Sequence, residues 1–409
     1  MTPLVLILLD ACRWDYIDPE TTPFLWKQAE TGRHYRRVIP SPGFCERTEI
    51  LTGKSPAESG FFTAVGHNPK QSPYSGLKPM LSALHQLEKL FPPPLWSKVL
   101  RRILHQFMRR RRHGFGPYYI PLTLLHRFSL TEDHYSYSDP RALASPSLPS
   151  IVEEHGFRTY YDSFTALGMF NTNSDDERLN LALKAADCSK TRLFLVYHSA
   201  PDFFGHQFGP QHAEMRTVLA RVDDQIRCFC EDFVARRPDA RFVIIGDHGM
   251  SQVHERVDAG SEVLRIANEF GFKAGKDFVF FLDSTMLRVW FETPDVRSKL
   301  EPVISESHLL VSRGRMVTKE LAESLHMPVA DRRYGDLIWW ADRGVLVWPD
   351  FFHSPSSHVS GMHGYDTSHE DSHGTCIAFG PGVSARKVET LELRGVFEVA
   401  QELLNDGQV

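Results

Sequence analysis

Short apolar runs bounded by polar turns set the rhythm of this sequence. Residues 4–9 (LVLILL), 193–197 (LFLVY) and 241–245 (RFVII) lack the alternation of a half-exposed strand. Such continuity is expected of parallel strands covered by helices on both faces. A later run, 374–383, reads as a further strand that ends in a Gly-Pro turn. Helical spacing predicts helices over 46–52, 176–186, 213–236 and 396–404, with Gly53 closing the first as a C-cap. The predicted fold is α/β, a mostly parallel central sheet flanked by helices in a single domain over 1–409. Two segments read as insertions within it. Residues 69–149 are rich in Pro, His and Arg. Residues 251–358 carry their own strand-like runs (DFVFFLDS, MLRVWFET, GVLVWP) and predict a small α+β cap.

Open α/β sheets build their sites at the carboxyl ends of strands. At those places this chain has carboxylates and imidazoles: Asp10 after the first run, Asp202 and His206 in PDFFGHQFGP, Asp247 and His248 in GDHGM. His363 follows in the Gly-flanked loop GMHGYD. Each has an ordinary explanation alone, since an Asp caps a helix and Asp-His before Gly is a common turn. Together, three carboxylates and three imidazoles suit two divalent ions, zinc first and manganese second. Two such ions a few ångströms apart clamp a phosphate. The expected substrate is a phosphate ester.

Composition narrows the partners. A net charge of −5 and 24% charged residues describe a soluble globular chain and argue against a nucleic acid polymer as ligand. Among six cysteines, the only close pair is Cys228 and Cys230, too near in sequence for a typical bridge. Free thiols and a reducing, cytoplasmic compartment are therefore expected. The first apolar run is short, has no basic lead and ends at Asp10, which reads as a buried strand rather than a signal peptide. Segment 95–112 pairs an apolar stripe with a face carrying Lys98, Arg101, Arg102, Arg109 and Arg110. It reads either as a lid packed on the core or as a peripheral contact with an anionic membrane surface. The second reading would associate the protein with membranes and make a lipid-linked or glycan-linked diester a credible substrate.

The segments LLDACRWDY, LTGKSPAESG, PDFFGHQFGP, GDHGM, RRYGDLIWWADRG and MHGYD, with FGPG beyond, carry a resemblance. In order and rough spacing they resemble the nucleotide pyrophosphatase/phosphodiesterase family of the alkaline phosphatase superfamily, over most of the chain outside 69–149. PDxxGHxxGP and DHGM are its specific signals. The resemblance implies one zinc on Asp202, His206 and His363 and another on Asp10, Asp247 and His248, with His369 and His373 as competitors for the place of His363. It implies hydrolysis of a phosphodiester or phosphoanhydride in a nucleotide, lipid-linked or glycan-linked substrate.

The family pattern also asks for a Thr or Ser nucleophile where this chain has Gly43. Cys45, Ser41 and Thr48 are the nearby candidates, and a water activated by the ions is the alternative to them. Arg47 would hold a phosphoryl oxygen in bidentate fashion, or else pair with Glu46 or Glu49. The family's phosphate-binding Asn falls on Ala64, with Thr63 or Asn68 as substitutes. Rival readings are a phosphoryl or phospho-alcohol transferase, a metal-binding protein with a degenerate site and, more remotely, a sulfatase.

Overall fold

The computed structural model describes residues 1–90, 95–110, 115–132, 145–161, 173–328 and 331–405. Seven strands form the central sheet, in the order Arg386–Glu392, Arg33–Ile39, Gly374–Phe379, Arg241–Ile245, Leu4–Leu9, Thr191–His198, Arg158–Tyr161. Within this sheet only Gly374–Phe379 runs against the rest, antiparallel to both its neighbours.

Leu4–Leu9 sits between Thr191–His198 and Arg241–Ile245, hydrogen-bonded to both. Its side chains alternate between two cores. Val5, Ile7 and Leu9 face Ile226, Phe229 and Phe233 of the long helix Ala213–Arg236. Leu4, Leu6 and Leu8 face Val396, Ala400 and Leu404 of the last helix. Helices on both sides leave no wet face, which is why the run is apolar throughout. Each such side chain contributes roughly 1.5–3 kcal/mol by leaving water.

Residues 251–358 hold a second sheet of four antiparallel strands, in the order Phe278–Leu282, Met286–Phe291, Leu337–Ala341, Gly314–Met316. Its core residues Phe281, Trp290 and Trp339 pack in one cluster with Val65, Leu104, Met108 and Phe128. Residues 69–149 and 251–358 thus share a core instead of standing apart.

Helix Leu95–Arg110 belongs to that cluster through Leu104 and Met108, while Ile103 is 62% exposed. Arg101, expected on the solvated basic face, instead turns inward and donates to the carbonyls of Tyr118 and Ile120, each at 2.8 Å. Residues 92–94, 111–112 and 133–144 of this region lie outside the described residues. No helix among the described residues is long and apolar enough to cross a membrane.

Candidate active site

Each metal-ligand candidate is placed by the end of a strand or by the turn after it. The Asp10 N–H donates to the His198 carbonyl at 3.0 Å, which joins the ends of two neighbouring strands. Asp202 and His206 lie one turn apart on helix Ala200–Phe208, with His206 Nε2 3.1 Å from Asp202 Oδ1. Asp247 and His248 follow Arg241–Ile245 after Gly246, where a Cβ would fall 1.9 Å from the Cys12 carbonyl oxygen. His363 follows Gly361–Met362, which pairs with Ser251–Gln252. All six side chains line one open cleft of about 180 Å³. Phe44, Glu46, Arg47 and Ala64 form another part of its wall, and Asp283, Ser284, Phe352 and His353 face them from the inserted region.

The donor chemistry calls for cations. His206 Nδ1 lies 2.8 Å from the Gly361 carbonyl, and His248 Nδ1 lies 2.8 Å from the Gly249 carbonyl. A carbonyl only accepts, so each Nδ1 carries the hydrogen and each neutral ring turns its Nε2 lone pair inward. Those lone pairs meet carboxylates. His206 Nε2 faces Asp202 as given above, and His248 Nε2 is 3.2 Å from Asp10 Oδ1. Lone pair against carboxylate repels unless a proton or a metal ion stands between them. Asp202 Oδ1 is buried and accepts no well-formed hydrogen bond. Donor atoms of Asp202, His206 and His363 lie within 4.8 Å of one another, as do those of Asp10, Asp202 and His248. The residues fit two divalent ions.

In the metal-free protein a proton takes the ion's place between each ring and its carboxylate. Burial pulls His248 down, but Asp247 and Asp10 outweigh it and hold the imidazole well above its usual range. His206 is raised in the same way, with Asp202 overcoming burial. His363 is pushed well below its usual value, by burial first and then by the charges on His248 and His206. Burial would raise Asp10, yet hydrogen bonds from His248 and Tyr197 bring it below the ordinary carboxylate range. The Tyr197 hydroxyl donates to Asp10 Oδ2.

The nucleophile candidates fare differently. Thr48 is buried, and its hydroxyl donates to Glu132 Oε1 at 2.6 Å. Ser41 hydrogen-bonds to Glu49, whose carboxyl burial pushes up to about 8. Cys45 is buried near Tyr334 and is not among the residues lining the cleft. Arg47 does line it, with Nε 3.5 Å from Glu132 Oε2, so a carboxylate from a distant strand end faces the guanidinium. Ala64 also lines the cleft, while Thr63 donates to the Val65 carbonyl and Asn68 pairs with Gln71. His373 sits on the Thr367 carbonyl, and His369 lines a different surface pocket.

Gly43 has no room for a hydroxyl-bearing side chain. Its φ is +114°, and a Cβ there would lie 2.1 Å from the Phe62 carbonyl oxygen. Restoring the family's hydroxyl with Gly43→Ser is therefore expected to lower stability by about 1–3 kcal/mol and to leave diester hydrolysis no faster. Urea denaturation and a nitrophenyl diester assay check both halves. A stable, faster variant would mean that this loop relaxes freely.

Four cleft residues escaped the sequence reading: Glu46 as a site group, Asp283, Ser284 and His353. Asp350 accepts from Ser284 Oγ at 2.6 Å and from His353 Nδ1 at 2.7 Å, which brings the His353 ring within 6.0 Å of His206. Nothing in the local sequence DFFHSP sets that histidine apart.

Comparison with known proteins follows this geometry. The family model described as type I phosphodiesterase / nucleotide pyrophosphatase matches residues 4–366. An uncharacterised pyrophosphatase/phosphodiesterase of Schizosaccharomyces pombe is 25% identical over 256 residues, covering 61% of this chain and 44% of that protein. Rat ectonucleotide pyrophosphatase/phosphodiesterase family member 7 is 25% identical over 228 residues, covering 53% and 49%. The matched portions span less than half the length of these two relatives. Among solved structures, murine ectonucleotide pyrophosphatase/phosphodiesterase 5, as an inactive variant in complex with AMP, superposes with a TM-score of 0.67. It is 16% identical, and the match covers 99% of this chain and 95% of that one.

Proposed function

Because the chain belongs to the type I phosphodiesterase / nucleotide pyrophosphatase family, we propose that it is a two-metal hydrolase of phosphodiester or pyrophosphate bonds. The convergence of Asp10, Asp202, His206, Asp247, His248 and His363 on one cleft carries this reading. One ion would be held by Asp202, His206 and His363, and the other by Asp10, Asp247 and His248. Zinc, or manganese in its place, would supply positive charge beside the phosphate and polarise its oxygens.

The chain's own groups do the remaining work. Arg47 faces the cleft and binds a non-bridging phosphoryl oxygen, its orientation supported by Glu132. Phe44 and Phe352 offer apolar surface to the rest of the substrate. A nucleotide is the first substrate class to try, since a structural neighbour binds AMP. Gly43 cannot attack, and the hydroxyl of Thr48 is committed elsewhere, so water is the nucleophile this reading favours.

The test is hydrolysis of bis(4-nitrophenyl) phosphate before and after chelation. Activity is expected to fall at least about a hundredfold on metal removal and to return with Zn²⁺ or Mn²⁺. Turnover indifferent to the chelator would overturn the proposal.

A further inference from the structure

Glu46 is an acidic side chain only 7% exposed that faces the cleft, yet the six-ligand scheme gives it no task. A carboxylate oxygen of Glu46 and ring nitrogens of His248 and His363 all lie within 4.8 Å of one another. The Glu46 carboxylate accepts from its own backbone N–H, and burial outweighs that bond and raises its pKa. A nearly buried carboxylate without a donor or cation is costly, so such groups are found paired or on metals. Glu46 also borders the smaller cavity behind the cleft, together with Gly43, His248 and His363. Its charge acts on both Asp247 and His248, which sets it on their side of the cleft.

We propose that Glu46 is a seventh metal ligand, adding a fourth protein donor to the Asp10–Asp247–His248 ion. This rests on the two-metal reading above and deepens it, because the two sets then differ in kind. One offers a single carboxylate and two imidazoles, a donor set suited to zinc that leaves a position open to substrate. The other offers three carboxylates and one imidazole, an oxygen-rich set that suits a harder ion such as Mn²⁺. Four carboxylates in all balance two divalent charges. The cleft is thus built for an unlike pair, with the substrate entering at the Asp202–His206–His363 ion.

Metal-free protein titrated calorimetrically with ZnCl₂ and with MnCl₂ tests this, with bound metal counted by mass spectrometry after dialysis. Wild type is expected to bind two ions per chain. Glu46→Gln is expected to keep one tight Zn²⁺ and to lose roughly 10–100-fold in affinity for Mn²⁺. Glu46→Asp keeps the charge but withdraws the carboxylate, so ligation predicts a loss there too, whereas a role through charge alone predicts none. X-ray absorption at the manganese edge of wild type needs no variant, and an oxygen-rich shell with one imidazole is expected. Two ions bound with unchanged affinity in both variants would overturn the role of Glu46 and leave the two-metal reading standing. Wild type that binds no metal would overturn both.

Discussion

Asp202→Ala is expected to cost about a thousandfold or more in diester hydrolysis and to remove most of the stabilisation that zinc confers. Asp202 lies 3.1 Å from His206 Nε2 and 3.6 Å from His363 Nε2, and it belongs to two of the three donor groups that crowd the cleft. Without it, one of the two proposed ions would keep only two imidazoles. A thousandfold corresponds to about 4 kcal/mol of transition-state stabilisation, within reach of a lost metal contact. In the metal-free protein Asp202 pairs with His206 and raises it, so stability is read as the gain each protein makes on adding zinc. Wild type should gain about 4 kcal/mol when zinc is a thousandfold above its dissociation constant, and the variant much less. Melting curves with and without ZnCl₂, read beside the rate, decide it. Equal zinc stabilisation of both proteins would sink the assignment.

Arg288→Met is expected to destabilise the protein by about 3–5 kcal/mol. Arg288 and Asp283 are both essentially inaccessible, with Nε 2.6 Å from Oδ2 and Nη2 3.2 Å from Oδ1. The guanidinium also packs 4.9 Å from the Phe281 ring centre and 5.5 Å from that of Trp290. Burial already raises the Asp283 carboxyl against the pull of Arg288, so loss of the cation strands a charge in an apolar core. The companion variant carries Asp283→Leu as well. With both partners replaced by apolar groups, most of the loss should return, because no charge is left unpaired. Urea denaturation of the single and double variants measures this. A double variant no better than the single one would show that packing, not charge, dominates. Asp283 also lines the cleft, so the pair ties the firmness of the inserted sheet to the shape of the site.

The strands at Leu4–Leu9 and Arg241–Ile245 were legible because burial on both faces leaves an uninterrupted apolar run. The gathering of Asp10, Asp247 and His248 at one cleft was legible for a related reason: a polar turn straight after such a run has only the sheet's edge to occupy. Glu46 was not. Its helix, Glu46–Thr52, is buried on nearly every side, including Glu46, Thr48, Glu49, Ile50, Leu51 and Thr52, so polarity there no longer marks a solvent face. The direction of Gly374–Phe379 was equally hidden, because GTCIAF reads the same whichever way the strand runs. The core shared by residues 69–149 and 251–358 depends on contacts between residues as far apart as Phe128 and Trp290, which no local pattern records.

The reversed strand carries a consequence for how the chain is made. Gly374–Phe379 lies between Arg33–Ile39 and Arg241–Ile245, so a nascent chain holds those two strands apart until about residue 379 has left the ribosome. Until then each presents an unpaired edge, the kind of surface on which chains stick to one another. Vectorial synthesis thus puts closure of the sheet last. Premature stops between Ile245 and Gly374 should yield aggregates rather than a smaller soluble protein, even where every residue before the stop is intact.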